Sequence, residues 1–170
     1  MNIVILLAAL VANSAPDCVV PPAEKALQLS LGYAAFDEHP GKHGWRNLGA
    51  TGCPEAAVEL LEAYVQAHGN ELSAEQQREA AFHMGQTLAL AGREPQSLPY
   101  FERAQSADAT PEWRAYVAAT IAFLRRDRAA LEAAHTAYEA ISPDSMRLRV
   151  IEGFIACPSE SYAKAAHCKM

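Results

Sequence analysis

The strongest constraint on the fold of this chain is an internal repeat with a period of about 33 residues, a length found in helical-repeat proteins. When residues 83–104 are laid over residues 116–137, large, small and polar positions coincide. The matching pairs are Met84/Val117, Gly85/Ala118, Thr87/Thr120, Leu88/Ile121, Leu90/Phe123, Arg93/Arg126, Leu98/Leu131 and Ala104/Ala137. Such repeats are helical hairpins that bury their apolar faces against one another. The repeat therefore predicts a scaffold, and by itself it indicates no chemistry.

Helix start and stop signals divide the rest of the chain into about seven to eight helices. Pro54, Pro95 and the pair Thr110-Pro111 mark helix beginnings, and Ser73 is followed by the residues of a capping box. No segment alternates apolar and polar residues as a half-buried strand does. We therefore predict an all-α fold of stacked antiparallel helical hairpins, without significant sheet, forming a single domain over residues 15–170.

The helical pattern is interrupted between residues 37 and 52. This stretch contains Pro40 and four glycines. Its larger side chains include His39, His43, Trp45, Arg46 and Leu48. Glycine and proline at this density predict an irregular loop, and long loops in compact domains are often functional. We expect the loop to be ordered, because Trp45 and Leu48 need to be buried.

The N-terminus resembles a secretory signal peptide. Residues 3–12 form an unbroken apolar run, which is shorter than the roughly 20 residues that a membrane-spanning helix needs. Cleavage after Ser14 would place small residues at the two positions that signal peptidases read. We predict a signal peptide over residues 1–14, a periplasmic or secreted protein, and no membrane span after cleavage. A buried N-terminal strand or helix is the alternative.

Four cysteines, Cys18, Cys53, Cys157 and Cys168, lie beyond this cleavage site. An even number of cysteines in a secreted chain indicates disulfides, and the absence of a CxxC pair argues against a zinc or redox motif. Several pairings are possible. We favour Cys18–Cys53 and Cys157–Cys168, because each would fasten a terminal segment. The second pairing requires a turn near Pro158, since a straight helix would hold its two sulfurs too far apart.

Charge and motifs exclude several functions. The chain has a formal net charge of −6 and no run of basic residues, so it does not resemble a nucleic-acid-binding protein. It contains neither a GxSxG nor an HExxH motif. We therefore predict a non-enzymatic protein with no cofactor and no metal site.

The repeat resembles the tetratricopeptide repeat. Its first copy has Met84-Gly85, Leu88, Ser97, Phe101 and Ala104, the order of large, small and aromatic residues that this family shows. In the second copy Ala134 takes the place of the aromatic residue. The resemblance is best over residues 78–138, and the whole chain is also similar to small secreted helical-repeat proteins of bacteria. It implies a TPR-like scaffold or adaptor that binds a peptide or protein partner in the cell envelope.

The resemblance also implies where a partner binds, on the concave face of the repeat helices. The expected contact residues are Glu79, Phe82, His83, Gln86, Trp113 and Tyr116, with Trp45 and Arg46 closing one end. Trp113 and Tyr116 share one face of their helix. If they filled that face, the protein would instead be a bundle without a groove.

A small periplasmic hydrolase or metal-dependent enzyme is the alternative of a different class. It would use His39 and His43 of the loop, together with His83 or Arg46. Two histidines four residues apart align on a helix, but Pro40-Gly41 between them prevents one. The sequence indicates no oligomeric state.

Overall fold

The computed structural model describes residues 18–169 of the 170-residue chain, and these contain ten α-helices and no strand. The predicted signal peptide at residues 1–14 lies outside the described residues. The helices are α1 (Pro22–Leu29), α2 (Tyr33–Asp37), α3 (Trp45–Ala50), α4 (Pro54–His68), α5 (Ala74–Leu90), α6 (Glu94–Ala104), α7 (Pro111–Leu124), α8 (Arg128–Glu139), α9 (Met146–Ala156) and α10 (Tyr162–Ala165). The prediction of an all-α fold is confirmed.

Helices that begin at a strong local signal begin where the sequence predicts. Helix α4 opens at Pro54, and α5 opens with a complete capping box. Gln76 N–H donates to Ser73 Oγ at 3.2 Å, and Ser73 N–H donates to Gln76 Oε1 at 2.9 Å. Thr110 accepts from Trp113 N–H in the same way at the start of α7. These contacts satisfy backbone donors that a helix N-terminus leaves free.

The stretch from residue 37 to residue 52 differs from the prediction, because helix α3 occupies residues 45–50 of the expected irregular loop. Trp45 and Leu48 are three residues apart, so one helical turn buries both on the same side. Arg46 Nε donates to the carbonyl of Asp37 at 2.9 Å and joins α3 to the end of α2. At Gly44 a Cβ would lie 2.5 Å from the carbonyl oxygen of His39, so this close return of the chain requires glycine.

The buried side chains form two clusters, which we name the N-terminal core and the C-terminal core. The N-terminal core includes Phe36, Trp45, Leu48, Leu60, Leu61 and Tyr64. The C-terminal core includes Phe101, Val117, Phe123, Tyr138, Phe154 and Tyr162. Helix α5 belongs to both, because Met84 and Leu88 face the first and Phe82 and Ala89 face the second. Helix α5 is therefore the element on which both cores pack.

The most extensive helix packing joins neighbours in sequence, α5 with α6 and α7 with α8. At the first pair, a Cβ on Gly85 would lie 3.1 Å from the ring of Phe101. The small residue therefore leaves the space that the aromatic residue of α6 fills. The close approach of α5 and α6 at Gly85 thus places Phe101 in the C-terminal core.

Two disulfides fasten the ends of the described chain, with the pairing that the sequence favours. Cys18 bonds to Cys53 just before α4, with their Cα atoms 5.3 Å apart. Cys157 bonds to Cys168 across α10, with Cα atoms 6.5 Å apart. The required turn follows Cys157, whose carbonyl accepts from Glu160 N–H at 3.1 Å. Arg126 Nη1 donates to the Glu160 carbonyl at 3.1 Å and holds this turn against α7.

Over residues 18–169, none of the helices is long and apolar enough to cross a membrane.

Candidate functional site

A cleft of about 480 Å³ opens between α5, the turn that precedes α7, the first turn of α7 and the start of α9. We name it the α5–α7 cleft. Its charged lining residues are Glu75, Arg78, Glu79, Asp108, Glu112 and Arg147, and Trp113 forms an aromatic wall. The cleft therefore combines charges of both signs with one large ring, which are the features of a site for a polar ligand with an apolar part.

Helical spacing sets the two walls of the cleft. Glu75, Glu79 and His83 follow one another at one-turn intervals, so they lie along one face of α5. Trp113 belongs to the first turn of α7, which Thr110 caps. Its indole Nε1 donates to the carbonyl of Ala104 at 2.9 Å, and this bond fixes the orientation of the ring. The aromatic wall is therefore formed before any ligand arrives.

Most charges in the cleft already have partners. Arg78 forms an ion pair with Asp108 at 3.4 Å. Glu112 accepts from the hydroxyl of Tyr138 at 2.7 Å, and Glu79 accepts from the hydroxyl of Tyr33 at 3.3 Å. Glu75 and Arg147, in contrast, form no ion pair within residues 18–169. Unpaired charges of opposite sign thus line the same cleft.

Arg147 contacts the aromatic residues of α7. Its guanidinium lies 5.7 Å from the ring centre of Trp113 and 5.4 Å from that of Tyr116. A guanidinium at this distance over a ring is attracted by the negative face of the π system. The side chain is exposed, so this contact holds it only weakly.

Two of the predicted contact residues are core residues rather than surface residues. Phe82 is 5% exposed and Tyr116 is 4% exposed. The ring centre of Phe82 lies 5.1 Å from that of Phe101 and 5.3 Å from those of Trp113 and Tyr116. These two side chains do not lie on an open face, because side chains of α6 and α7 cover this side of α5. Phe82 and Tyr116 instead support the wall of the cleft from below.

Trp45 and Arg46 were expected to close one end of the contact surface. In the structure neither residue lines the α5–α7 cleft. Trp45 is 4% exposed and belongs to the N-terminal core. Arg46 forms an ion pair with Asp37, and its guanidinium lies 4.4 Å from the ring centre of Trp45. The need to bury a tryptophan has placed this pair between α2 and α5, away from Trp113.

His83 lies between the cleft and this second group. Its Nε2 is 3.9 Å from Asp37 Oδ1 and 3.9 Å from Glu79 Oε1, and its ring centre is 4.8 Å from that of Trp45. Burial lowers the pKa of His83 to about 4, although the nearby Asp37 carboxylate acts to raise it. The imidazole is therefore neutral at neutral pH. Gln86, three residues further along α5, is partly exposed.

Burial also weakens the acidity of the tyrosines around the cleft. Burial, with Glu79 and Asp37 nearby, raises the pKa of Tyr33, and burial raises the pKa of Tyr116 to about 12. Both phenols therefore stay protonated at neutral pH. The Tyr33 hydroxyl is then a donor, and it holds the Glu79 carboxylate between α2 and the cleft.

The histidines of the predicted loop contact α1 and not His83. His39 Nδ1 accepts from Gly41 N–H at 3.0 Å, and its Nε2 lies 3.8 Å from Glu24 Oε1. The carbonyl of His43 accepts from Gln28 Nε2 at 3.0 Å. Across residues 18–169, no group of three or more histidine, cysteine, aspartate or glutamate residues is arranged to hold a metal ion.

Of the residues that line the cleft, the sequence pattern indicates Glu79 and Trp113. It does not indicate the other four charged residues, which are Glu75, Arg78, Glu112 and Arg147. The one-turn spacing of Glu75 and Glu79 was a signal that could have been read. Arg147 had no such signal, because only the packing of α9 on α7 brings it to Trp113.

Among known proteins, no family model, no curated protein and no solved structure matches this chain. Over residues 18–169 the protein is all-α, with two disulfides and a mixed-charge cleft between α5, α7 and α9.

Proposed function

We propose that this protein is a non-enzymatic, TPR-like scaffold or adaptor of the periplasm or the extracellular space, which binds a polypeptide partner in the α5–α7 cleft. The observation that carries the proposal is the fixed indole of Trp113 in a cleft that also presents the unpaired charges of Glu75 and Arg147.

These features match what a polypeptide segment offers. Tryptophan is among the residues that contribute most to binding energy at protein interfaces, because it buries a large ring at little entropic cost. The charges of the cleft would fix the orientation of the segment and exclude segments with the wrong charge pattern. The cleft volume of about 480 Å³ accommodates a few side chains rather than a folded domain. A peptide segment is therefore the proposed occupant.

The proposed location is supported by the two disulfides and by the sequence of the N-terminus. Disulfides persist in oxidising compartments and are rare in the reducing cytosol. The apolar run at residues 3–12 is typical of a secretory signal.

The geometry favours binding over the alternative of hydrolysis. A histidine that activates a nucleophile makes a hydrogen bond to it. Within the part of the chain that the structure describes, no serine, threonine or cysteine side chain forms a hydrogen bond with His83, and the polar side chains beside it belong to Asp37, Glu79 and Gln86. The His39 ring lies 3.8 Å from Glu24 of α1 rather than beside His83.

Selection from a random peptide display library tests the proposal. The purified protein is the bait, and enriched peptides are titrated against the wild type and two variants. Trp113→Ala removes the wall of the cleft, and Tyr100→Ala is the matched control because Tyr100 is a partly exposed aromatic residue in a different groove.

We expect enriched peptides to bind the wild type and Tyr100→Ala alike and to lose at least about tenfold in affinity for Trp113→Ala, the loss typical of an aromatic anchor. Equal binding to all three proteins would show that the cleft is not the site. A selection that enriches no peptide would refute the polypeptide-binding function itself.

A further inference from the structure

We infer that the segment bound in the α5–α7 cleft is basic, and that one of its lysine or arginine side chains lies over Trp113 and faces the carboxylates of Glu75 and Glu79. This inference rests on the proposed function and adds the chemistry of the partner. Three observations carry it: the charge excess of the cleft, the cation that already lies on its aromatic wall, and the preoriented carboxylate of Glu79.

The cleft has an excess of negative charge. Four carboxylates, from Glu75, Glu79, Asp108 and Glu112, face two guanidiniums, from Arg78 and Arg147, which leaves an excess of two negative charges. Arg78 and Asp108 neutralise each other at 3.4 Å. The whole chain carries −6, so its field has the same sign as the cleft. An acidic cleft on an acidic protein attracts cationic segments and repels anionic ones.

Arg147 shows what the aromatic wall accepts. Its guanidinium lies over Trp113 and Tyr116 and has no carboxylate partner among residues 18–169. It therefore holds the position that a cation from a partner would take. A lysine or arginine from a ligand would gain the same ring faces and, in addition, the carboxylates of α5. Because Arg147 is exposed and held only by the rings, the ligand displaces it at small cost.

The carboxylate of Glu79 is positioned before binding. Glu79 is fixed by the hydroxyl of Tyr33 at 3.3 Å, and it lies one turn from Glu75 along the same face of α5. Trp113 is fixed by its bond to the Ala104 carbonyl. A site whose aromatic ring and one of whose carboxylates are already oriented loses less entropy when a cation enters.

The opposite possibility is an acidic segment that Arg147 anchors. The two possibilities predict opposite effects of removing Arg147 on the binding affinity. If the bound group is a cation, Arg147 competes with it, and removing Arg147 strengthens binding. If the bound group is a carboxylate, Arg147 holds it, and removing Arg147 weakens binding. The same substitution therefore separates the two cases.

The experiment titrates three amidated octapeptides into the purified protein by isothermal calorimetry at low ionic strength. The peptides alternate glycine with lysine, with glutamate or with glutamine. The variants are Arg147→Ala, Glu75→Gln, Trp113→Ala and Arg149→Ala. Arg149 is an exposed arginine of the same helix that lies outside the lining of the cleft, so its loss controls for net charge. Circular dichroism verifies that every variant is folded.

We expect the lysine peptide to bind more tightly than the glutamine and glutamate peptides. Arg147→Ala should tighten lysine-peptide binding by about two- to fivefold, the range for one exposed cation–π contact. Arg149→Ala should leave it unchanged, whereas Glu75→Gln and Trp113→Ala should weaken it.

Preferential binding of the glutamate peptide, or weaker binding of the lysine peptide by Arg147→Ala, would overturn the inference. The cleft would then be a polypeptide-binding site that prefers acidic segments. Library peptides that bind regardless of charge would also overturn it without touching the proposed function. Absence of binding by any peptide, charged or selected, would refute both.

Discussion

The tightest approach between two helical segments gives the sharpest prediction about stability. Gly153 of α9 faces the C-terminal segment so closely that a Cβ there would lie 2.2 Å from the carbonyl oxygen of Ala165. It would also lie 3.4 Å from the carbonyl carbon of Ala165 and 3.6 Å from the backbone nitrogen of Cys168. The obstacle is backbone, so no side-chain rotation relieves it. We predict that Gly153→Ala is destabilising.

The magnitude follows from two opposing effects. Alanine in a helix interior is favoured over glycine by about 1 kcal/mol. Inserting a methyl group into a filled space typically costs about 1–3 kcal/mol. The upper end applies here because the Cys157–Cys168 disulfide and the fully buried Tyr162 and Ala165 restrain α10 from moving away. The net destabilisation is therefore about 2 kcal/mol.

Urea unfolding followed by circular dichroism at 222 nm measures this difference. For a domain of this size, a loss of about 2 kcal/mol lowers the midpoint by about 1 M urea. Gly32→Ala is the matched control, because no heavy atom lies within 4 Å of a Cβ at that position. We expect its midpoint to stay close to that of the wild type. A Gly153→Ala protein as stable as the wild type would refute the packing of α10 against α9.

Two further predictions concern the disulfides and the buried histidine. Replacing both cysteines of the Cys18–Cys53 bridge with serine should lower the free energy of unfolding by about 4 kcal/mol, and the same change at Cys157–Cys168 should lower it by about 3 kcal/mol. The first loss is larger because the loop-closure entropy of the unfolded chain grows with loop length. Equal urea midpoints for the wild type and these variants would contradict the prediction. The lowered pKa of His83 means that the unfolded chain binds a proton that the folded chain does not between about pH 6.5 and pH 4. Stability should therefore fall as the pH falls through that window, by up to about 3 kcal/mol. Replacing His83 with Asn should flatten this dependence, whereas His135→Asn should retain it, and parallel pH profiles for the two variants would show that His83 is not the group responsible.

The helices were predictable where the chain carries its own boundary signals. Helix α4 runs from Pro54 to His68 as expected, because a proline in the first turn favours a helix start through its own fixed backbone angle. Helix α3 was not predictable, because glycines surround it and its only cause is the burial of Trp45 and Leu48 against other helices. Burial of this kind depends on the whole fold and leaves no short-range pattern.

The site was predictable only in outline. Helical periodicity correctly placed Glu79, Phe82 and His83 on neighbouring positions of α5 and identified Trp113 and Tyr116 as partners on one face of α7. Periodicity does not give the depth of a side chain, so it could not separate the partly exposed Glu79 from the buried Phe82. It also could not find Arg147, which reaches the rings through α9.

Because α5 packs in both cores, it determines how the protein unfolds. A fragment that ends before α5 would have Leu61 and Tyr64 without the Met84 and Leu88 that cover them. A fragment that begins after α5 would leave Phe101 and Tyr116 without Phe82. Truncation at either side of this helix removes one half of a hydrophobic interior, so neither end of the chain is an autonomous folding unit, and heating should melt both tryptophan environments in a single transition.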